Sequence, residues 1–457
     1  MKIGFVGFPA AGHLNPTTAV ARRLQSRGHE VIFIGIPDTE PFARAAGLTF
    51  VPYCEDEFPI GSMTEAYAPV AKMHGFEVVR YSCAKMIPPL ARAAFQHLQR
   101  TLEETGVAAL VLDPIHFFLE LVPMKMGIPY VHIWCALHID FSGSTPASLF
   151  NWPHDTTAEA LTRNVHGLQQ IGEALLPVLE EAIPYADRNG LHINWQEPGS
   201  TLSKHAVITQ VPKEFDFPGI SLPANFHYAG PFHDDQGREP VPFPRELLNG
   251  KPLIYASLGT LVNGLDQVYR AIVEAATELS DVQLVLSVGR SIDPDELRPR
   301  PADAIVVRTA PQLELLKRAA LCITHAGLNT ALESLAQGVP MVALPIGYDQ
   351  PGVAARIAYH GVGESLEVET LTGQELLGAI RKVLNNRSYR ERARFFQDVI
   401  GETNGLEVAA DRIEEVFQMN TPVNGCEPSH KGEQARQGKK VMAIPQRGRG
   451  GRAIGAR

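Results

Sequence analysis

The apolar and polar positions of the chain fall into two similar series. Residues 2–8 form a short apolar run ending in Gly and Pro, the form of a buried parallel strand. Gly12-His13-Leu14-Asn15-Pro16 then predicts a turn, residues 17–27 an amphipathic helix, and residues 30–35 a second strand entered through Gly28-His29. That succession is a right-handed βαβ unit. Further strands are expected at 107–112, ending in Asp113, at 128–134, and at 207–210 and 226–229. Residues 150–200 read as polar and helical. A second series begins at 253–257, closes on Gly259-Thr260, and continues with a helix over 267–279. Strands follow at 282–288, 304–308, 321–324 and 341–344, with helices between them and last helices over about 373–418.

Strands and helices that alternate twice over predict an α/β chain with two doubly wound, Rossmann-like domains facing each other across a cleft. The boundaries expected are 1–235 for the first domain, 236–252 for a linker rich in Pro, Gly and charge, and 253–420 for the second. The last helices are expected to pack back on the first domain. Ligands of such sheets sit beyond the carboxyl ends of the strands. That rule singles out His13, Asp113, Thr260, His325 and Asp349.

Length changes the picture little: 457 residues suit two or three domains with ample core. Charge changes it more. The net charge is −9, but the last 27 residues hold eight Lys/Arg and one Glu, which leaves −16 on the rest. An acidic body argues against a nucleic-acid protein. The Gly-rich basic segment 421–457 reads as a disordered, solvated tail, with a polyanion-binding arm as the sharper alternative. Five dispersed cysteines form no CxxC pair, which suits a reducing cytoplasm. Residues 1–16 do not have the shape of a signal peptide, and the sequence holds no run of about 18 apolar residues. Peripheral membrane contact stays open, and the oligomeric state is not legible.

The densest chemistry lies between Arg308 and Gln350. A strand delivers Thr324-His325, Ala326-Gly327 lets the backbone turn closely, and a helix follows over 328–337. A helix N-terminus with small residues and an imidazole beside it is an anion site. Asn329 and Thr330 add side-chain donors, Glu333 one turn on suits ribose hydroxyls, and Asp349-Gln350 suit vicinal sugar hydroxyls. The stretch is neither a Walker loop nor a GxGxxG fingerprint.

His325, Gly327, Asn329, Thr330, Glu333, Gly338-Val339-Pro340, Pro345 and Asp349-Gln350, with Pro311-Gln312 upstream, resemble the donor signature of the family 1 UDP-glycosyltransferases. The flanking text looks most like bacterial members near the zeaxanthin (carotenoid) glucosyltransferase and macrolide glycosyltransferase branches. The resemblance covers residues 1–418, densely in 308–364 and sparsely in 55–105 and 140–230. It implies the GT-B fold and an inverting, metal-independent transfer from a UDP-sugar, with glucose as the expected sugar and no cofactor beyond that co-substrate. It places the diphosphate on His325, Gly327, Asn329 and Thr330, with Ser257, Gly259 and Thr260 lining it from the other side. It also places the ribose on Glu333, the nucleoside near Gln312, and the sugar on Asp349 and Gln350. One position departs from the pattern. Many plant relatives stack a Trp on uracil where this chain has Thr309, so UDP and dTDP both stay open; Arg308 beside it offers a guanidinium plane instead.

Sugar transfer needs a base to deprotonate the acceptor hydroxyl, and a histidine suits that task near neutral pH. His13 in the first strand-to-helix loop is the candidate, with Asp113 to orient and stabilise its ring, the logic of a hydrolase triad without the serine. The Gly12–Pro16 stretch and Asp113 also match the family's base-bearing loop and its partner. Met63, Met73, Phe76, Phe117, Phe118, Trp134 and Phe141 are candidate lining for an apolar, hydroxylated acceptor such as a flavonoid, polyketide or carotenoid, at least half of them being expected in the core. Asp293-Pro294-Asp295 reads as a surface turn, and His and Cys show no metal-ligand spacing. A nucleotide-sugar epimerase or a non-catalytic nucleotide-sugar binding protein on the same fold is the alternative; neither needs the His13–Asp113 pair.

Overall fold

The computed structural model describes residues 1–419 except 235 and 239. The expected basic tail, with Cys426, lies outside the described residues, as does residue 239 of the expected linker. In chain order the strands are β1 (Lys2–Val6), β2 (Glu30–Gly35), β3 (Thr49–Pro52), β4 (Ala109–Leu112), β5 (Tyr130–Trp134), β6 (Val207–Thr209) and β7 (Phe226–Tyr228), then β8 (Leu253–Ser257), β9 (Gln283–Ser287), β10 (Ile305–Val307), β11 (Ala319–Thr324), β12 (Met341–Ala343) and β13 (Gly363–Ser365). The first seven form one sheet in the order β3-β2-β1-β4-β5-β6-β7, and the last six a second in the order β10-β9-β8-β11-β12-β13. Every pairing is parallel. Apolar side chains cover both faces of each sheet, which is why the central strands read as unbroken apolar runs.

Strand order reverses at the same place in both sheets, between β1 and β4 and between β8 and β11. A crevice opens at such a point beyond the strand ends. Register then decides which residues meet there. Phe5 pairs with Val111, so the chain leaving β1 runs beside Asp113 at the end of β4. Ser257 pairs with Thr324, so Gly259 and His325 emerge together.

Four helices carry the argument: α1 (Ala11–Ser26), α2 (Leu328–Ala336), α3 (Gln350–Tyr359) and α4 (Gly405–Met419). The sequence places a turn at 12–16 because proline commonly breaks a helix. The structure starts α1 at Ala11 and keeps Pro16 inside it, so His13 stands in the first helical turn and not in a loop. Pro16 has no N–H to give the Gly12 carbonyl four residues back. That carbonyl instead accepts from Asn329 Nδ2 at 2.7 Å, across the cleft. The edge strands β3 and β13 have no counterpart in the sequence reading, being three or four residues long and without an apolar run.

Contacts away from the cleft also join the halves, among them two clusters. On α4, Ala409, Ala410, Ile413 and Phe417 enter the core of the first sheet, and Arg27 after α1 pairs with Asp411 at 2.7 Å and Glu414 at 2.8 Å. Between the sheets, Asp216 accepts from Arg356 of α3 (2.5 and 3.1 Å), from His138 Nε2 (2.7 Å) and from the Tyr228 hydroxyl (2.8 Å). Arg356 is 1% exposed and lies over the Phe217 ring. Burial by itself would raise the Asp216 pKa, but Arg356 and His138 hold it far below the usual carboxylate range.

Candidate active site

The two crevices face one another and merge into one cavity of about 1260 Å³. On the amino-terminal wall, the Asp113 side chain closes β4 and caps the following turn by accepting from the Ile115 N–H at 3.2 Å. Its other oxygen lies 2.7 Å from His13 Nδ1. Asp113 is almost wholly buried, whereas the His13 side chain keeps 17% of its surface. With Nδ1 held by the carboxylate, Nε2 is the ring atom left to act on a ligand. Burial disfavours the charged ring, yet the Asp113 carboxylate outweighs it, by charge and by hydrogen bond, and the His13 pKa rises. The same contact lowers the Asp113 pKa against the upward push of its own burial.

On the carboxy-terminal wall, the His325 ring is wedged between two glycines. A Cβ at either Gly259 or Gly327 would come within 2.5 Å of His325 Nε2, and Gly259 sits at φ +77°. Only glycine fits either position without displacing the ring. His325 Nδ1 is buried and unpartnered. Burial pushes the His325 pKa down to about 4, so this is a neutral imidazole beside the α2 N-terminus. Ala326, between His325 and Gly327, has φ +61°, and Tyr348, just before Asp349, has φ +55°. Non-glycine residues in that region store strain, which recurs at functional sites.

The thirteen candidates split simply. Twelve line the cavity: His13, Ser257, Gly259, Thr260, Gln312, His325, Gly327, Asn329, Thr330, Glu333, Asp349 and Gln350. Asp113 stands behind His13. Several already have partners. The Asn329 amide accepts from Gln210 at 2.9 Å while donating to Gly12. Gln312 donates to Glu333 (2.5 Å) and Thr330 (3.2 Å) and accepts from the Tyr255 hydroxyl. Asp349 accepts from the Leu137 N–H at 2.8 Å, and burial raises its pKa. Gln350 Oε1 is taken by the N–H groups of Ile346 and Gly347, so its NH2 end is the part left to meet a ligand. Arg308 gives its Nη1 to the carbonyls of Ile292 and Arg290.

Of the apolar candidates, Phe117, Phe118, Trp134 and Phe141 line the cavity. Met63, Met73 and Phe76 pack into the cores instead. Phe117 and Phe118 are both left-handed, at φ +44° and +70°, in the turn that follows Asp113. Asp293 and Asp295 are exposed on a short 3-10 turn. Among the described residues one group of metal-ligand type comes together, Cys54, Glu57 and His97. It lines no part of the cavity, and no sequence spacing announced it, because its members join only in three dimensions. The sequence also gave no sign of Gln210, Tyr255 or the 195–202 segment. Arg238, which donates to Glu333 at 2.6 Å, lies in what reads as a plain linker.

Comparison with known proteins agrees with this architecture. Residues 199–399 match the family described as UDP-glucoronosyl and UDP-glucosyl transferase. The chain is 30% identical over 420 residues to the zeaxanthin glucosyltransferase of Pantoea ananas, covering 91% of this chain and 96% of that one. It is 26% identical to the NDP-glycosyltransferase YjiC of Bacillus subtilis (strain 168), covering 90% and 96%. Among solved structures, the glycotransferase of kitacinnamycin superposes with a TM-score of 0.67 at 23% identity, over 91% of this chain and 98% of that one.

Proposed function

Since the chain belongs to the family of UDP-glucoronosyl and UDP-glucosyl transferases, with the GT-B fold, and moves a sugar from a nucleotide sugar, we propose that it transfers glucose from UDP-glucose, with inversion and without a metal, to a hydroxyl of an apolar small molecule. One observation carries the reading: His13, backed by Asp113, shares a cavity with the α2 N-terminus on the facing wall. His13 Nε2 takes the acceptor proton. The freed oxygen attacks the anomeric carbon from the face opposite the nucleotide. The bond from that carbon to the diphosphate oxygen breaks, and its electron pair leaves with the diphosphate. The α2 N–H groups, His325, Asn329 and Thr330 receive the departing charge, with Ser257, Gly259 and Thr260 opposite. Glu333 holds the ribose, Gln312 borders the nucleoside, and Asp349 and Gln350 hold the sugar. Arg308 keeps its guanidinium face for the base while its edge stays bonded to the 290–292 backbone.

The acceptor is assigned to the first half, residues 1–235, where Phe117, Phe118, Trp134 and Phe141 border the cavity, and the donor to residues 253–420. The four described cysteines are free thiols, in keeping with a cytoplasmic enzyme. No helix among the described residues is long and apolar enough to cross a membrane.

The test is a mass-spectrometric acceptor screen with UDP-glucose, dTDP-glucose and UDP-galactose. The expected result is an acceptor carrying one hexosyl group, formed best with UDP-glucose, and UDP released only when acceptor is present. UDP release or sugar epimerisation without any acceptor would overturn the reading.

A further inference from the structure

The donor-binding reading leaves a charge problem. A nucleotide sugar brings a diphosphate with two negative charges to a wall that already holds Glu333 and Asp349. The α2 N-terminus supplies only a partial positive charge. His325 is neutral there, and Asn329 and Thr330 are uncharged. Lys317 on the cavity wall acts on Glu314, and the two other arginines there are engaged elsewhere: Arg245 grips the same Glu314 at 2.7 Å, and the Arg308 guanidinium bonds backbone carbonyls. Arg238 differs from both. It lines the same cavity, and its Nη2 lies 2.6 Å from Oε1 of Glu333, a carboxylate only 1% exposed. Its partner is thus the group assigned to the ribose hydroxyls.

Position makes a transfer between partners feasible. Glu333 lies four residues beyond Asn329 on α2, about 6 Å along the helix axis. A guanidinium on Glu333 is therefore about one helical turn from the diphosphate cradle, within the swing of one arginine side chain. Moving that charge from a carboxylate to a doubly charged diphosphate is favourable once ribose hydroxyls have taken over the carboxylate.

We propose that Arg238 is the charge partner of the donor: it neutralises Glu333 in the structure seen here, and it passes to the diphosphate when the ribose of a nucleotide sugar binds Glu333. The proposal rests on the donor reading above. It makes Arg238 a donor-binding residue contributed by the segment between the two sheets, and it makes diphosphate recognition conditional on ribose recognition.

The experiment compares UDP with uridine by calorimetric titration of the full chain, as wild type, Arg238→Gln, Arg238→Lys and Asn329→Ala. The expected result is a Kd for UDP raised about tenfold or more in Arg238→Gln, with uridine bound as well as before or more tightly. Arg238→Lys, which keeps the charge and loses the fork, should fall between wild type and Arg238→Gln for UDP, and it carries the test alone if Arg238→Gln does not fold. Equal changes for UDP and uridine in either variant would overturn the proposal, since Arg238 would then act on Glu333 alone. Unchanged UDP binding in both variants would overturn it too. If Asn329→Ala weakens UDP while the Arg238 variants do not, only this inference fails. If wild type binds no UDP, the donor reading fails and takes the inference with it.

Discussion

His13 and His138 each lie 2.7 Å from an aspartate oxygen, of Asp113 and Asp216 respectively, yet their surroundings differ throughout. The His138 side chain is fully buried, and its second nitrogen faces the Thr209 hydroxyl at 3.4 Å. Its aspartate also receives Arg356 and Tyr228. Every group in that cluster has a partner, and the cluster spans the two halves. The His13 ring keeps part of its surface, has Phe8 edge-on at 5.1 Å, and lies on the cavity wall. The same pair of residue types therefore serves as a clamp where both ring nitrogens are occupied, and opens onto the cavity where one is left over. The pair itself is not the chemical signal; access to Nε2 is.

Substitutions sharpen that contrast. His13→Gln, which retains an amide to face Asp113, should lower turnover about a hundred- to ten-thousandfold with little change in Tm, measured by product formation and calorimetry. Arg356→Met should do the reverse. It leaves the Asp216 charge buried with one cation fewer, and a loss of about 3 kcal/mol in stability is expected by denaturant unfolding, with UDP binding at low temperature retained. Full stability in Arg356→Met would show that the clamp contributes nothing.

The pH profile is a finer probe. His13 must be neutral to accept a proton, so its raised pKa puts the acid limb of kcat/KM above the ordinary 6.5. Asp113→Asn removes the carboxylate that raises it and should move that limb to lower pH. The stability effect has the opposite sense. A histidine with a raised folded pKa stabilises most below 6.5, and that contribution fades as pH climbs through the folded pKa. Activity thus grows where the pair's contribution to folding shrinks. The smallest effects expected are those of EDTA and of Asp293→Asn, which should leave transfer unchanged; a loss restored by added divalent metal would contradict the metal-free reading.

Sequence alone determined more of the second half than of the first. Eight of the eleven donor candidates lie within 308–350 because one helix N-terminus and two strand ends build that wall, and contiguous chain is legible as spacing. The apolar runs of the central strands were legible for a similar reason, since burial on both faces leaves no polar positions. Tertiary structure decided what depends on distant segments. His13 and Asp113, which the sequence pairs only by the strand-end rule and a resemblance, meet because β1 and β4 are neighbours in register across a separation of 100 residues. Pro16 reads as a helix breaker, and only the packed structure gives the freed Gly12 carbonyl its donor across the cleft. Arg238 reads as solvated linker charge until the fold lays it on Glu333. Local rules fix backbone and face, whereas a charge or a hydrogen bond takes its meaning from the partner that folding supplies.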